Sequence, residues 1–169
     1  IGLGKMGLPM ALKLAHQKYN LSVFNRTKSK TVDLVTAGAQ AEDTVINVAK
    51  SSDIIITMVS DDIALEKITL NSDGVIANAR PNSTYIDMST VSPGLSAKIS
   101  AAAVNKNINY LRAPVNGTVM QAETSTLVIL VSGPEEEFEK QKDIFETMGN
   151  KIFYTGKEEQ SRYLKLSIN

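Results

Sequence analysis

Short apolar runs alternate with stretches that repeat apolar residues at helical spacing along nearly the whole chain. After an opening Ile1-Gly2-Leu3-Gly4-Lys5-Met6-Gly7, residues Met10, Leu12, Leu14 and Ala15 make the apolar part of a first helix. Pro9 falls in its first turn, where a proline costs little. Leu21 to Phe24 reads as a strand, about Lys28 to Ala37 as a helix closed by Gly38, and about Val45 to Lys50 as a short helix. The β-branched run Asp53 to Val59 suits a strand covered on both faces. Asp61 and Asp62 then open a helix to about Leu70, where acids complement the positive end of the helix dipole. Tyr85 to Met88 is the next strand, and Ser92-Pro93 starts a helix to about Asn105. Tyr110-Leu111, Thr126 to Val131 and Lys151 to Tyr154 read as strands. Pro134 to Met148 reads as one helix, ending at Gly149, and Ser161 to Asn169 as a last helix.

Strand and helix in alternation predict an α/β fold: a doubly wound, mostly parallel sheet with helices on both faces. No internal repeat, low-complexity tract or linker interrupts it. At 169 residues and 43% hydrophobic, the chain can bury a sizeable core. Eighteen basic and eighteen acidic residues balance, which predicts no nucleic-acid or membrane partner. The absence of cysteine excludes a disulfide framework and a thiol metal site. No apolar run approaches the roughly 18 residues of a membrane span. A soluble, cytoplasmic protein is expected. Ile1 is expected near the end of a buried first strand, and the terminal helix carries no stop signal. Both ends therefore read as parts of a longer protein, of which this is the front portion.

The first seven residues spell G-x-G-x-x-G between an apolar residue and a helix, with a second strand at the expected distance. In that setting the glycines let the backbone turn, approach a pyrophosphate and pack helix against strand, while the helix N-terminus offers amides to the phosphates. Past Gly7 the first acid is Asp33, and the second strand runs into Asn25-Arg26-Thr27-Lys28, with Lys30 nearby. A carboxylate there would hold the ribose 2′-hydroxyl of NAD, whereas an arginine accommodates the 2′-phosphate of NADP. NADP is therefore expected in preference to NAD. Arg26 taken alone also fits an ordinary surface arginine.

The opening Gly2-Leu3-Gly4-Lys5-Met6-Gly7-Leu8-Pro9-Met10-Ala11 resembles that of the β-hydroxyacid dehydrogenases, which include 3-hydroxyisobutyrate dehydrogenase and, more distantly, 6-phosphogluconate dehydrogenase. Three further segments match in order. Asp87-Met88-Ser89-Thr90-Val91-Ser92-Pro93 is similar to the family turn D-x-S-T-x-x-P, whose threonine lies beside the nicotinamide. Ala113-Pro114-Val115-Asn116-Gly117-Thr118 stands where the family has A-P-V-S-G-G, which binds the substrate carboxylate. Lys165-Leu166-Ser167-Ile168-Asn169 matches K-x-x-x-N, with the catalytic lysine and a substrate-binding asparagine. The resemblance implies a Rossmann-type dinucleotide-binding domain over residues 1–160. Residues 161–169 would begin an interdomain helix leading to a helical C-terminal domain, which would complete the cleft and form a homodimer or tetramer.

The expected sites follow. Cofactor contacts are assigned to Gly2, Leu3, Gly4, Lys5, Met6, Gly7, Asn25, Arg26, Thr27, Met58, Val59 and Thr90, and acid-substrate contacts to Asn116, Gly117 and Thr118. Lys165 and Asn169 are the catalytic candidates, and no metal is expected. Oxidising an alcohol by hydride transfer needs a group that takes the hydroxyl proton and returns it in reverse. Lys165 and Asn169, four residues apart on a helix, face the same way. The apolar neighbours Leu164, Leu166 and Ile168 favour a lowered lysine pKa. Without the family register, Lys165 reads as one more lysine snorkelling from an amphipathic helix.

Several positions depart from the family pattern. Glu159-Gln160-Ser161 replaces G-x-G before the lysine. Arg112, Thr118, Gln121 and Ser125 replace an Asp and three glycines, and Asn116 replaces a serine. A narrowed, stiffer pocket is expected, and the substrate does not carry over. An imine reductase, a relative in which the lysine is commonly replaced, and a non-catalytic NADP-binding module are the competing readings. His16 is the single histidine, which disfavours a Ser-His-Asp site or a histidine metal cluster, and Glu135-Glu136-Glu137 reads as a solvated helix start.

Overall fold

The computed structural model describes residues 1–17 and 19–168. Its elements follow in chain order. Helix α1 (Gly7–His16) leads to strand β1 (Ser22–Val23), a 3₁₀ turn (Lys28–Thr31), α2 (Val32–Thr36), β2 (Gln40–Ala41) and α3 (Val45–Ser51). Next come β3 (Ile54–Thr57), α4 (Asp62–Leu70), α5 (Val75–Asn78), β4 (Thr84–Asp87), α6 (Pro93–Val104) and β5 (Asn109–Arg112). The last part holds β6 (Val115–Asn116), α7 (Val119–Glu123), β7 (Leu127–Ser132), α8 (Glu135–Lys140), α9 (Lys142–Met148), β8 (Gly149–Gly156) and α10 (Gln160–Ser167).

Parallel ladders join β1 to β2, β3 to β4, β4 to β5 and β7 to β8, while β7 runs antiparallel to β5 and β6. The first two residues close the gap between β1 and β3. The Ile1 nitrogen donates to Ile56 O, Met58 N–H donates to Ile1 O, and Gly2 N–H donates to Phe24 O. One sheet therefore runs β2, β1, Ile1–Gly2, β3, β4, β5, β7. The strand order reverses at Ile1–Gly2, and such switch points open a crevice at the carboxyl ends of the strands.

Period-two alternation splits the core between the two faces. Ile86, Met88 and Leu111 join Met10, Leu14, Ile129 and Phe145 on one face, while Tyr85 and Tyr110 join Ile55, Leu65, Val75 and Ile99 on the other. Local chemistry fixes the helix starts: Thr44, Asp61 and Ser92 side chains accept from the amides of Asn47, Ala64 and Leu95.

Four elements have no counterpart in the sequence pattern: β2, α5, β6 and α7, each of five residues or fewer. The helix expected from Pro134 to Met148 is two, broken at Gln141 without a glycine or proline. Phe138 on α8 and Phe145 on α9 are both buried in the core and stack with centroids 6.0 Å apart. Gly149 is extended (φ −142°) and opens β8 instead of capping a helix in the left-handed region. Glu137 is buried, not solvated. It takes hydrogen bonds from Thr84 Oγ1 and from Gln141 Nε2 (2.8 Å), and these outweigh burial to hold its carboxyl below the usual range.

Candidate active site

The glycine loop leaves the sheet at its switch point and runs straight into α1. A Cβ on Gly7 would lie 2.0 Å from Gly2 O, and one on Gly2, whose φ is +91°, 2.3 Å from Met58 O. Side chains are excluded at both by the protein's own backbone. Gly4 differs: it is exposed, and a Cβ there would meet nothing within 4 Å. Its lack of a side chain leaves open the space ahead of α1, where Leu8 and Met10 N–H donate back to Gly4 O and Met6 O and so hold the loop against the helix start. A phosphate-bearing cofactor fits that cradle.

Asn25 ties this loop to the next. Its Oδ1 accepts Leu3 N–H at 2.9 Å and its Nδ2 donates to Thr27 O at 3.0 Å. Arg26 beside it is exposed, and Lys28 is paired at 2.6 Å with Asp43, an acid that the β1–β2 pairing brings alongside. Lys5 is exposed and Met6 half-buried. Met58 and Val59 follow β3, and Thr90, exposed, follows β4. These positions share one edge of the sheet because β1, β3, β4 and β5 end on the same side.

Asn116, Gly117 and Thr118 follow β5 through β6 at that edge. Lys165 reaches them from α10: it is 7% exposed, and its Nζ lies 3.5 Å from Asn116 Oδ1. Burial holds its ammonium below the ordinary lysine pKa. Thr118 N–H is taken by Gln121 Oε1 at 2.8 Å, one half of a capping box on α7. Asn169 lies outside the described residues. Among those described, no group of three or more His, Cys, Asp or Glu side chains is placed to hold a metal ion.

One participant was not anticipated from the sequence. Arg162, one turn before Lys165, is 1% exposed and pairs at 2.5 Å with Asp87, itself 0% exposed. It also donates to Ser89 O (2.6 Å), Ser96 Oγ (3.2 Å) and Tyr110 Oη (3.2 Å). Burial opposes its charge, but Asp87 and Tyr110 more than compensate and raise its pKa. Asp87 Oδ1 accepts from Thr57 Oγ1 and Ser89 Oγ, both at 2.7 Å, and Ser89 Oγ accepts Val59 N–H at 3.0 Å. This network fastens α10 to the turns after β3 and β4.

The sequence model for the NAD binding domain of 6-phosphogluconate dehydrogenase matches residues 1–156. The chain belongs to this family. Its relatives include an uncharacterized oxidoreductase, YfjR, of Bacillus subtilis (42% identical over the whole chain and 59% of the relative). The NAD-dependent L-serine dehydrogenase of Pseudomonas aeruginosa is 36% identical, over the whole chain and 57% of the relative. Among solved structures, 3-hydroxyisobutyrate dehydrogenase of Mycobacterium tuberculosis with L-serine superposes with a TM-score of 0.92 at 26% identity, over 99% of this chain and 56% of that one. An imine reductase of Myxococcus stipitatus with NADP+ gives 0.91 at 26% identity, over 99% and 57%. The chain thus spans under three-fifths of the length of these proteins. It is a Rossmann-type NAD(P)-binding domain of the hydroxyacid dehydrogenase family.

Against the family pattern, the departures fall into partnerships. Arg112 and Glu159 form a buried ion pair, with 5% and 12% of their side chains exposed. Ser161 Oγ contacts Ser132 Oγ at 2.7 Å. Gln121 holds Thr118, as above, and Ser125, at a family glycine, keeps a left-handed backbone (φ +55°).

Proposed function

We propose that the chain is the cofactor-binding part of an NADP-dependent oxidoreductase that interconverts a small β-hydroxy acid with its semialdehyde or keto form. The observation that carries this reading is Lys165: an amine buried on α10, lowered in pKa by that burial, and within 3.5 Å of a polar loop at the cofactor edge of the sheet. Gly2, Gly4 and Gly7, with Leu3, Lys5 and Met6, would cradle the pyrophosphate. Arg26, between Asn25 and Thr27, would take the 2′-phosphate, with no carboxylate in that loop to repel it. Met58, Val59 and Thr90 would line the nicotinamide end.

When bound, the nicotinamide supplies the hydride acceptor or donor. In oxidation Lys165 Nζ takes the hydroxyl proton as the carbonyl forms, and in reduction it returns that proton to the oxygen. A lowered pKa favours this role, because burial makes the neutral amine, the form that can accept the proton, easier to reach. Asn116, Gly117 and Thr118 would face the acid group of the substrate, and Asn169 would orient it. Residues 1–160 would form the cofactor domain and 161 onward the start of an interdomain helix. A helical domain beyond it would complete the cleft and assemble a homodimer or tetramer in the cytoplasm.

The decisive assay uses the full-length protein, NADPH and NADP, and a panel of small hydroxy acids, semialdehydes and cyclic imines, with Lys165→Ala alongside. Acid turnover that collapses about 10²–10⁴-fold in the variant supports the reading. Likeness to an imine reductase makes imine turnover the second reading, favoured if it survives Lys165→Ala. Cofactor binding with no turnover of any panel member favours a binding module. For the cofactor, an unchanged NADPH:NADH affinity ratio in Arg26→Ala defeats the 2′-phosphate assignment.

A further inference from the structure

Two segments run side by side where the candidate substrate loop meets the catalytic helix. One is residues 112–116, from the end of β5 through β6, and the other is residues 159–165 at the start of α10. They are tied at three levels. Arg112 Nε and Nη2 donate to Glu159 Oε1 at 2.8 and 2.5 Å, Ser161 Oγ donates to Arg112 O at 3.4 Å, and Lys165 Nζ donates to Asn116 Oδ1 at 3.5 Å.

The top tie is the most constrained. Arg112 is 4% exposed, and its guanidinium lies over the Tyr110 ring, 4.8 Å from the centroid, which fixes the plane of the fork. Both donors converge on a single oxygen of Glu159. The other oxygen, Oε2, is buried with no hydrogen-bond partner among the described residues, so Arg112 sets the carboxylate's place. An ion pair in such a setting is a weak source of stability beside a well-packed apolar pair, but its geometry is directional. Glu159 is the cap residue immediately before α10, and its carbonyl accepts the amides of Arg162 and Tyr163. Fixing Glu159 therefore fixes the register of the first turns, and Lys165 follows six residues later.

We propose that Arg112 and Glu159 are positioning residues that together set the separation of Lys165 from Asn116, and with it the geometry in which an acid substrate meets the lysine. Neither reaches the reacting atoms; both act through α10. The inference rests on the role proposed for Lys165. It also accounts for two departures from the family pattern as one exchange, in which a charge introduced on the strand is answered by the opposite charge on the helix.

The test uses the full-length protein with Glu159→Gln, which keeps the shape, Arg112→Met, Arg112→Lys and the Arg112→Met/Glu159→Met double variant. Each is measured for melting temperature, NADPH affinity, kcat and KM. The expected result is a tenfold or greater fall in kcat per folded molecule in Glu159→Gln and Arg112→Met, with NADPH affinity within twofold of the parent. The double variant should be no worse than the poorer single, and Arg112→Lys should fall between. Variants that melt earlier yet keep kcat and KM within twofold would reduce the pair to a packing contact. A parent with no turnover counts against the proposed function instead. The positioning claim is then read by NMR titration of the Lys165 side chain in protein carrying isotope-labelled lysine. A rise of its pKa toward the ordinary lysine value in folded Glu159→Gln supports the claim, and an unchanged titration overturns it.

Discussion

Replacing Arg162 by methionine removes one half of an ion pair that has no access to water. Arg162 is 1% exposed and Asp87 0%, so the remaining carboxylate would stay in a low-dielectric interior without its cation. Breaking a buried pair from one side costs about 3–5 kcal/mol. Asp87 keeps its hydroxyl donors from Thr57 and Ser89, and methionine refills most of the side-chain volume. The expected loss is thus at the lower end, about 3 kcal/mol, which for a chain of this size lowers the melting temperature by roughly 6–12 °C. Urea unfolding followed by circular dichroism reads this directly, with an unchanged m-value showing that the same structure unfolds. Lys98→Ala serves as the internal comparison. It breaks a pair with Glu66 whose side chains are 63% and 48% exposed, and it should cost about 0.2–1 kcal/mol. Asp87→Asn added to Arg162→Met should recover part of the loss by removing the stranded charge. If Arg162→Met costs no more than Lys98→Ala, the buried network is not what holds α10.

Three further outcomes are expected. Gly4→Ala should leave the melting temperature within about 2 °C of the parent while weakening dinucleotide binding. Gly7→Ala, whose Cβ would lie 2.0 Å from Gly2 O, should lower stability by at least about 2 kcal/mol as well; calorimetry and ligand titration on both separate the two cases. Lys165 carries its charge below its ordinary pKa only at a burial cost, so the unfolded chain holds the proton more tightly than the folded one. Stability should therefore rise with pH between the lowered pKa and the ordinary lysine value, and be lowest and flat beneath that window. Lys165→Met should be more stable than the parent at neutral pH and lack the alkaline rise in urea titrations. Ser125→Gly, at a position with φ +55°, should raise stability by up to about 1 kcal/mol, and a destabilised variant would show that the serine side chain contributes more than its backbone strain costs.

The sequence was most legible where a signal is local. Gly2, Gly4 and Gly7 lie in the loop that leads directly into the helix they serve, and the unbroken Ile54-Ile55-Ile56 run belongs to a central strand whose neighbours it does not need to name. The two-residue strand at Gln40–Ala41 has no apolar signature and exists because β1 lies beside it. Glu137 reads in sequence as one of three solvated acids because its partner Thr84 is 53 residues away. Arg162 carries no local signal for the same reason: the acid that neutralises it lies 75 residues earlier. Arg112 and Glu159 each stand out in sequence as departures, yet only the fold shows that these residues, 47 apart in the chain, are in contact. Opposite charges at two unusual positions were the available clue, and charge complementarity becomes readable only once a topology pairs β5 with the start of α10.

The hydrogen bond from Leu3 N–H to Asn25 Oδ1 bears on how a domain of this kind can move between the two dinucleotides over evolutionary time. An asparagine and an aspartate have the same outline, and either offers an oxygen at that point. Asn25→Asp would keep the glycine loop tethered, surrender only the bond to Thr27 O, and place a negative charge beside Arg26. On the 2′-phosphate assignment proposed for Arg26, the step from that loop to one suited to a bare ribose is a single-residue change of near-identical shape. A lineage can take that step without first passing through a sequence in which the loop has come loose.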